Sequence, residues 1–188
     1  MKRRRFLSSV AILVPAALVS TEVLLPSCNQ GVEDNSFSQE NINLLDEIGE
    51  TIIPATATSP GAKAAHIGEF MKVYVTDCYT AQQQVVFWEG INKVKKLSNE
   101  KFGKEFLKLS VSQKQEILRS LENESKDSKA ANGNSGTQQF YPMIKGLVAF
   151  GFFSSKPGAT KALRYEQTPD RYVADVPYKK GDKAWATT

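Results

Sequence analysis

Gln138-Gln139-Phe140-Tyr141-Pro142-Met143-Ile144-Lys145-Gly146-Leu147-Val148-Ala149-Phe150-Gly151-Phe152-Phe153 is the stretch that decides the fold. Its one charge is Lys145. A segment this apolar must be covered by other elements, so it reads as a central helix with the rest of the chain packed around it. Gly146 and Gly151 lower its helix propensity, which packing must offset, and both permit close approach of another backbone.

Downstream, Ser154–Ala159 forms a turn that leads into a short helix through Leu163. From Arg164 to Thr188 the chain has neither helical nor strand period. Pro169, Pro177 and Gly181 alternate there with Tyr165, Tyr172, Tyr178 and Trp185. This reads as an irregular strap held by aromatic anchors. Upstream, Glu122–Gly136 is polar, and a mobile surface loop is expected near residues 122–137.

Further upstream the pattern is helical. Ser110-Val111-Ser112-Gln113 starts a helix with Ile117, Leu118 and Leu121 inward, and Lys104–Leu109 is a short helical piece before it. Thr80-Ala81-Gln82-Gln83 is a capping-box pattern. The helix it opens carries Val85, Trp88, Ile91 and Val94 or Lys95 to about Leu97. A preceding helix spans Ala62 to about Cys78, with Ile67, Phe70, Met71, Tyr74 and Cys78 on one buried face. The first helix of the domain is capped by Ser36 or Ser38, buries Ile42, Leu45, Ile48 and Ile52, and is stopped by Pro54. The fold class is therefore mainly α, one compact helical domain over residues 36–188.

The N-terminus is different in kind. Met1-Lys2-Arg3-Arg4-Arg5-Phe6-Leu7 precedes an apolar run, Val10–Leu25, which ends at Pro26-Ser27-Cys28. A membrane span needs about 20 apolar residues. This run is shorter and contains Glu22, so residues 1–27 read as an export signal. Arg3, Arg4, Phe6 and Leu7 match the twin-arginine pattern of cargo exported folded, with a generic basic start as the alternative. Leu25-Pro26-Ser27-Cys28 resembles a lipobox, in which the Cys28 thiol is acylated. The alternative is an ordinary signal with a chance cysteine. Several acyl chains on one cysteine make a lasting tether. Residues 28–35 form a polar leash. The expected location is the cell envelope, lipid-anchored on the periplasmic side of a membrane.

The formal charge of +4 belongs largely to that signal. Lys2, Arg3, Arg4, Arg5 and Glu22 all lie within it. Subtracting them takes 24 basic and 20 acidic residues to 20 and 19, a net charge of +1. No basic stripe remains, so nucleic acid is not an expected partner. If Cys28 is acylated, Cys78 is left without an intramolecular disulfide partner; its place on the apolar stripe makes a buried thiol the default reading, with a bond to a partner chain or a reactive thiol as the alternatives.

Catalytic chemistry is hard to find. His66 is the single histidine and stands at a helix start, where capping or hydrogen bonding is the ordinary role. No second histidine or cysteine lies at metal-ligand spacing. No glycine-rich phosphate loop, nucleophile elbow or haem-attachment motif occurs. Asp46 and Glu50 form an i, i+4 pair of like charges, read as solvated surface. No catalytic, cofactor or metal residue is therefore assigned.

Glu50-Thr51-Ile52-Ile53-Pro54-Ala55-Thr56, followed by Ser59-Pro60-Gly61-Ala62-Lys63-Ala64-Ala65, resembles the signature of the gluconate 2-dehydrogenase subunit 3 family. Gly151-Phe152-Phe153-Ser154-Ser155, Gly158-Ala159-Thr160, Leu163-Arg164-Tyr165 and Pro169-Asp170-Arg171-Tyr172 support it. The resemblance implies a non-catalytic small subunit of a membrane-associated sugar or sugar-acid dehydrogenase. It implies a large FAD-dependent partner of the glucose-methanol-choline type, which holds the FAD, and often a cytochrome that takes the electrons. The small subunit would escort the large one through folded export and anchor it. Candidate partner contacts are Pro54, Pro60 and Gly61 in the uncharged loop and Tyr165, Tyr172, Tyr178 and Trp185 in the tail. The ordinary alternative is a plain connection and a tail packed on its own core. A different function class is a free-standing carbohydrate-binding lipoprotein using Trp88 or Trp185 as a stacking platform. A third is an enzyme built around His66 and Cys78.

Overall fold

Short polar side chains, Ser38, Thr80 and Ser110, start three of the described helices of this chain. A computed structural model describes residues 35–130, 139–168, 175–177 and 179–186. The described helices are α1 Gln39–Ile52, α2 Ile67–Cys78, α3 Ala81–Phe102, α4 Val111–Ala130 and α5 Phe140–Ser154. Tighter 3-10 turns cover Ala62–Ala65 and Phe106–Lys108, and a π turn covers Gly158–Ala162. Among the described residues there is no strand, only an isolated bridge between Arg164 and Trp185. The mainly α expectation holds. The expected export signal over residues 1–27, Cys28 and the expected leash up to residue 34 lie outside the described residues.

The start signals act as written. The Ser38 hydroxyl accepts the Asn41 N–H at 3.4 Å. At α3, Thr80 Oγ1 accepts the Gln83 N–H while Gln83 Oε1 accepts the Thr80 N–H at 2.9 Å, a complete capping box. Ser110 and Gln113 repeat this reciprocal pair at α4. Each such cap contributes about 1 kcal/mol by satisfying N–H groups that lack helical partners. α3 runs past Leu97 to Phe102 and ends where Gly103 takes the left-handed conformation, φ 62°.

α5 is the central element: it packs against α1, α2, α3 and α4. Its buried face is Phe140, Ile144, Leu147, Val148 and Phe152. Around it lie Leu45 and Ile48 of α1, Ile67 and Met71 of α2, Phe87 and Ile91 of α3, and Ile117 of α4, all fully buried. Burying each such side chain contributes roughly 1.5–3 kcal/mol. Gly90 lets α3 and α5 touch, since a Cβ there would stand 2.0 Å from the Phe140 ring.

Several expectations need correction. The segment before α2 does not extend its helix back to Ala62. His66 sits in the left-handed region, φ 50°, and separates the Ala62–Ala65 turn from α2. Cys78 is exposed, not buried. The inward residues Ile67, Met71 and Val75 advance by four, which rotates the stripe about 40° per step. After Val75 the stripe reaches Tyr79, which is half-buried, and Cys78 falls outside it. On α3, Phe87 faces the core and Val85 is 55% exposed. The polar run from Glu122 is helical to Ala130, not a loop. Glu122 pairs with Lys126 one turn on and with Lys145 of α5, and Glu124 pairs with Lys93 of α3, so charges hold the extension in place. Neither glycine of α5 admits another backbone: Gly151 makes room for the Phe70 ring, 2.5 Å from the position of a Cβ, and Gly146 has nothing within 4 Å.

Candidate partner-binding surface

The loop between α1 and α2 is built on acidic residues of α1. Glu50 accepts two backbone N–H groups from across the loop: Ala55 at 2.8 Å on Oε1 and Lys63 at 2.9 Å on Oε2. The Ala62 N–H donates to the Ile53 carbonyl at 2.9 Å and closes the base. Inside, the Thr56 N–H donates to Ser59 O at 2.9 Å, and the Ser59 N–H returns to Thr56 Oγ1 at 3.1 Å. Pro54 is exposed, Pro60 is half-buried, and Gly61 is buried. The result is an uncharged loop whose backbone is fixed by hydrogen bonds.

The neighbouring carboxylates of α1 are structural too, so solvated surface is the wrong description of them. Asp46 Oδ1 accepts the Gly68 N–H at 2.8 Å, in the first turn of α2. Glu47 bridges two lysines, Lys63 at 2.9 Å and Lys114 of α4 at 2.8 Å. Partial burial pushes the Glu47 carboxyl up, but the hydrogen bonds and charges of Lys114 and Lys63 outweigh it and hold it below the ordinary carboxylate value. The Glu47 carboxylate in turn raises Lys63. No sequence pattern marks these partners, because Lys63 and Lys114 lie in other elements.

The tail begins as an ordered contact. The Arg164 N–H donates to Ala184 O and the Ala186 N–H donates to Arg164 O, both at 2.8 Å. The Arg164 guanidinium lies 4.7 Å from the centre of the Trp185 ring. Tyr165 and Trp185 are 46% and 44% exposed, and Tyr172 and Tyr178 lie outside the described residues. Among the described residues no backbone hydrogen bond joins this tail to the loop.

A third feature was hidden inside the apolar sequence. Phe70 and Tyr74 of α2 meet Phe150 of α5 with ring centres 5.7 and 5.6 Å apart, and Tyr79 stacks edge-on against Tyr74 at 5.8 Å. The cluster is open to solvent: Phe150 is 54% exposed, and Val73 and Phe153, three residues on from Phe70 and Phe150 along the same helix sides, are 60% and 43% exposed. Its sequence signal was present. α5 is apolar on every side, and a helix of that kind needs cover all round.

The other candidates do not assemble. His66 and Cys78 flank opposite ends of α2, about 18 Å apart at 1.5 Å per residue, so they cannot act on one substrate atom. A cleft of about 200 Å³ between α1, α4 and α5 is lined by Gln115, Arg119, Glu122, Tyr141 and Lys145 among others. Hydrogen bonding to Lys126 lowers Glu122, and Lys145 adds to it. Burial raises Tyr141, and Glu122 reinforces it. Neither shift gives a base poised near neutral pH. Trp88 is buried against Phe37 and Phe87, so it is no platform for a sugar. Among the described residues no group of His, Cys, Asp or Glu could hold a metal ion, and no helix is long and apolar enough to cross a membrane.

The family model for gluconate 2-dehydrogenase subunit 3 matches residues 39–169, from the first residue of α1 through the π turn and beyond it. The chain belongs to the gluconate 2-dehydrogenase subunit 3 family. No curated protein and no solved structure matches it. The region matched to the family contains the Glu50-clamped loop and the aromatic face of α2 and α5. Residues 1–38, Cys28 among them, and Trp185 fall outside that region.

Proposed function

We propose that this chain is the non-catalytic small subunit of an FAD-dependent sugar or sugar-acid dehydrogenase. It escorts, anchors and stabilises the large subunit at the periplasmic face of a membrane. The observation that carries this reading is the family match over the whole helical bundle. The chemistry supports it: the histidine and the free thiol stand apart, and Asp46, Glu47 and Glu50 of α1 are committed to backbone N–H groups and lysines. The FAD belongs to the large subunit in this reading, and a cytochrome accepts the electrons where one is present.

The fold suits a surface role. The Pro54–Gly61 loop is fixed before any partner arrives, so little ordering entropy is lost when it is covered. Attachment comes from acyl chains on Cys28, and the twin-arginine pattern at Arg3 and Arg4 accounts for passage of a folded, flavin-loaded pair.

Capture of the native lipoprotein from membranes tests the reading. The expected eluate holds a large flavoprotein with a flavin absorbance spectrum, and Cys28→Ser releases the pair from washed membranes. A purified solitary chain that carries flavin, or that oxidises a sugar alone, overturns it.

A further inference from the structure

We infer that the aromatic face formed by α2 and α5, centred on Val73 and Phe150, is the seat of the large subunit, and that the partner brings an apolar centre with a basic rim. The inference rests on the subunit reading above and names its contact surface.

The centre is Val73, Phe70, Tyr74, Phe150 and Phe153. Aromatic rings that are already stacked lose little freedom when covered, and such residues dominate interface energetics. Gly146 lies one turn before Phe150, and nothing stands within 4 Å of its missing side chain. It leaves the α5 backbone open to close approach from outside, which no described element of the chain uses.

Charge selects the occupant. On α2, Glu69 and Asp77 stand one turn either side of Val73, and neither has an ion-pair partner among the described residues. Lys72 lies on the opposite flank, about 160° around the helix from Phe70. The one basic residue of α5, Lys145, faces Glu122 of α4. An anionic lipid surface is repelled by that acidic rim and meets no basic residue of α2 or α5 on this face, Lys156 standing past the end of α5. A second copy would set acidic rim against acidic rim. A protein with an apolar centre and lysines or arginines around it meets both features.

The test is made on the full-length chain captured from membranes with its partner. Wild-type capture of the flavoprotein reports on the subunit reading by itself. Val73→Arg then reports on the face: retention of the large subunit falls at least about tenfold. Val85→Arg, on an equally exposed site of α3, leaves it unchanged. In a Cys78→Ser background, Val73→Cys reacts with a maleimide at least about tenfold more slowly in the complex than alone, whereas Val85→Cys reacts equally in both. Full retention by a folded Val73→Arg chain, or an unprotected Val73→Cys thiol in an intact complex, overturns the assignment. So does a Cys28→Ser chain that floats with anionic vesicles, or that dimerises, in a manner Val73→Arg abolishes.

Discussion

Glu50 holds its carboxylate over Gly61, in the space where any side chain at that position would stand. A Cβ on Gly61 would lie 2.2 Å from both Glu50 oxygens. The glycine backbone itself is unstrained, φ −74° and ψ 170°, so the requirement is steric. Glutamate and glycine are thus two halves of one device that ties the loop to α1.

Gly61→Ala is expected to push the carboxylate off the Ala55 and Lys63 N–H groups. Hydrogen bonds to a charged group contribute about 1.5–3 kcal/mol each, less at an exposed site, so a loss of about 1–2 kcal/mol is predicted. Glu50→Ala should cost a similar amount. The double variant should cost less than the sum by about 1 kcal/mol, because both substitutions break the same contacts. Denaturant unfolding of the four chains measures this coupling. Strict additivity would refute the device.

Glu47 and Lys114 give a second prediction, in pH. The Lys114 side chain is 8% exposed and meets Glu47 from a helix packed directly against α1. The folded-state Glu47 carboxyl is lowered from 4.5, so its stabilisation is complete above that pH and fades as pH falls through the lowered value. Lys63 is raised from 10.5, so its contribution is complete below 10.5 and is lost only at higher pH. Glu47→Ala strands a buried ammonium and should cost about 3 kcal/mol at neutral pH. Lys114→Met should cost far less, since Glu47 keeps Lys63. In urea unfolding between pH 3 and 7, Glu47→Ala should show a flatter acid limb than wild type.

These contacts mark where sequence reading stops. Ser38, Thr80, Ser110 and Pro54 were legible because caps and breakers act on residues a few positions away. The centrality of α5 was legible from composition. Glu47 was not, since Lys114 reaches it from another helix. Glu122–Ala130 read as a loop because its helix is held by ion pairs to Lys93 and Lys145, which no local pattern shows. Cys78 was misplaced by the drift of a four-residue stripe at the end of α2. Phe150 and Phe153 were read as core because an apolar helix gives no sign of which face its own chain leaves bare. The loop candidates Pro54, Pro60 and Gly61 came out as one built feature; Tyr165 and Trp185 came out half-exposed beside Arg164.

His66 offers a test of role against conformation. A non-glycine residue at φ 50° costs roughly 1 kcal/mol relative to glycine. His66→Gly should therefore raise stability by up to about 1 kcal/mol, and His66→Val should lower it by more than 1 kcal/mol. Neither should alter sugar oxidation by the reconstituted complex under conditions where the chain stays folded. A selective loss of turnover in the stabilised glycine variant would restore a chemical role to the histidine.

The glycines of α5 separate what the chain needs from what its partner needs. Gly151→Ala must move the Phe70 ring, so it should destabilise the isolated chain by about 1–3 kcal/mol. Gly146→Ala meets nothing, and replacing an exposed mid-helix glycine should stabilise the isolated chain by about 1 kcal/mol. If the α2 and α5 face is covered in the complex, that same added methyl stands between two backbones and should weaken retention of the large subunit. Thermal unfolding of the free chain and capture of the flavoprotein read the two effects separately. A Gly146→Ala chain that gains stability and keeps full capture would place the large subunit elsewhere on the molecule.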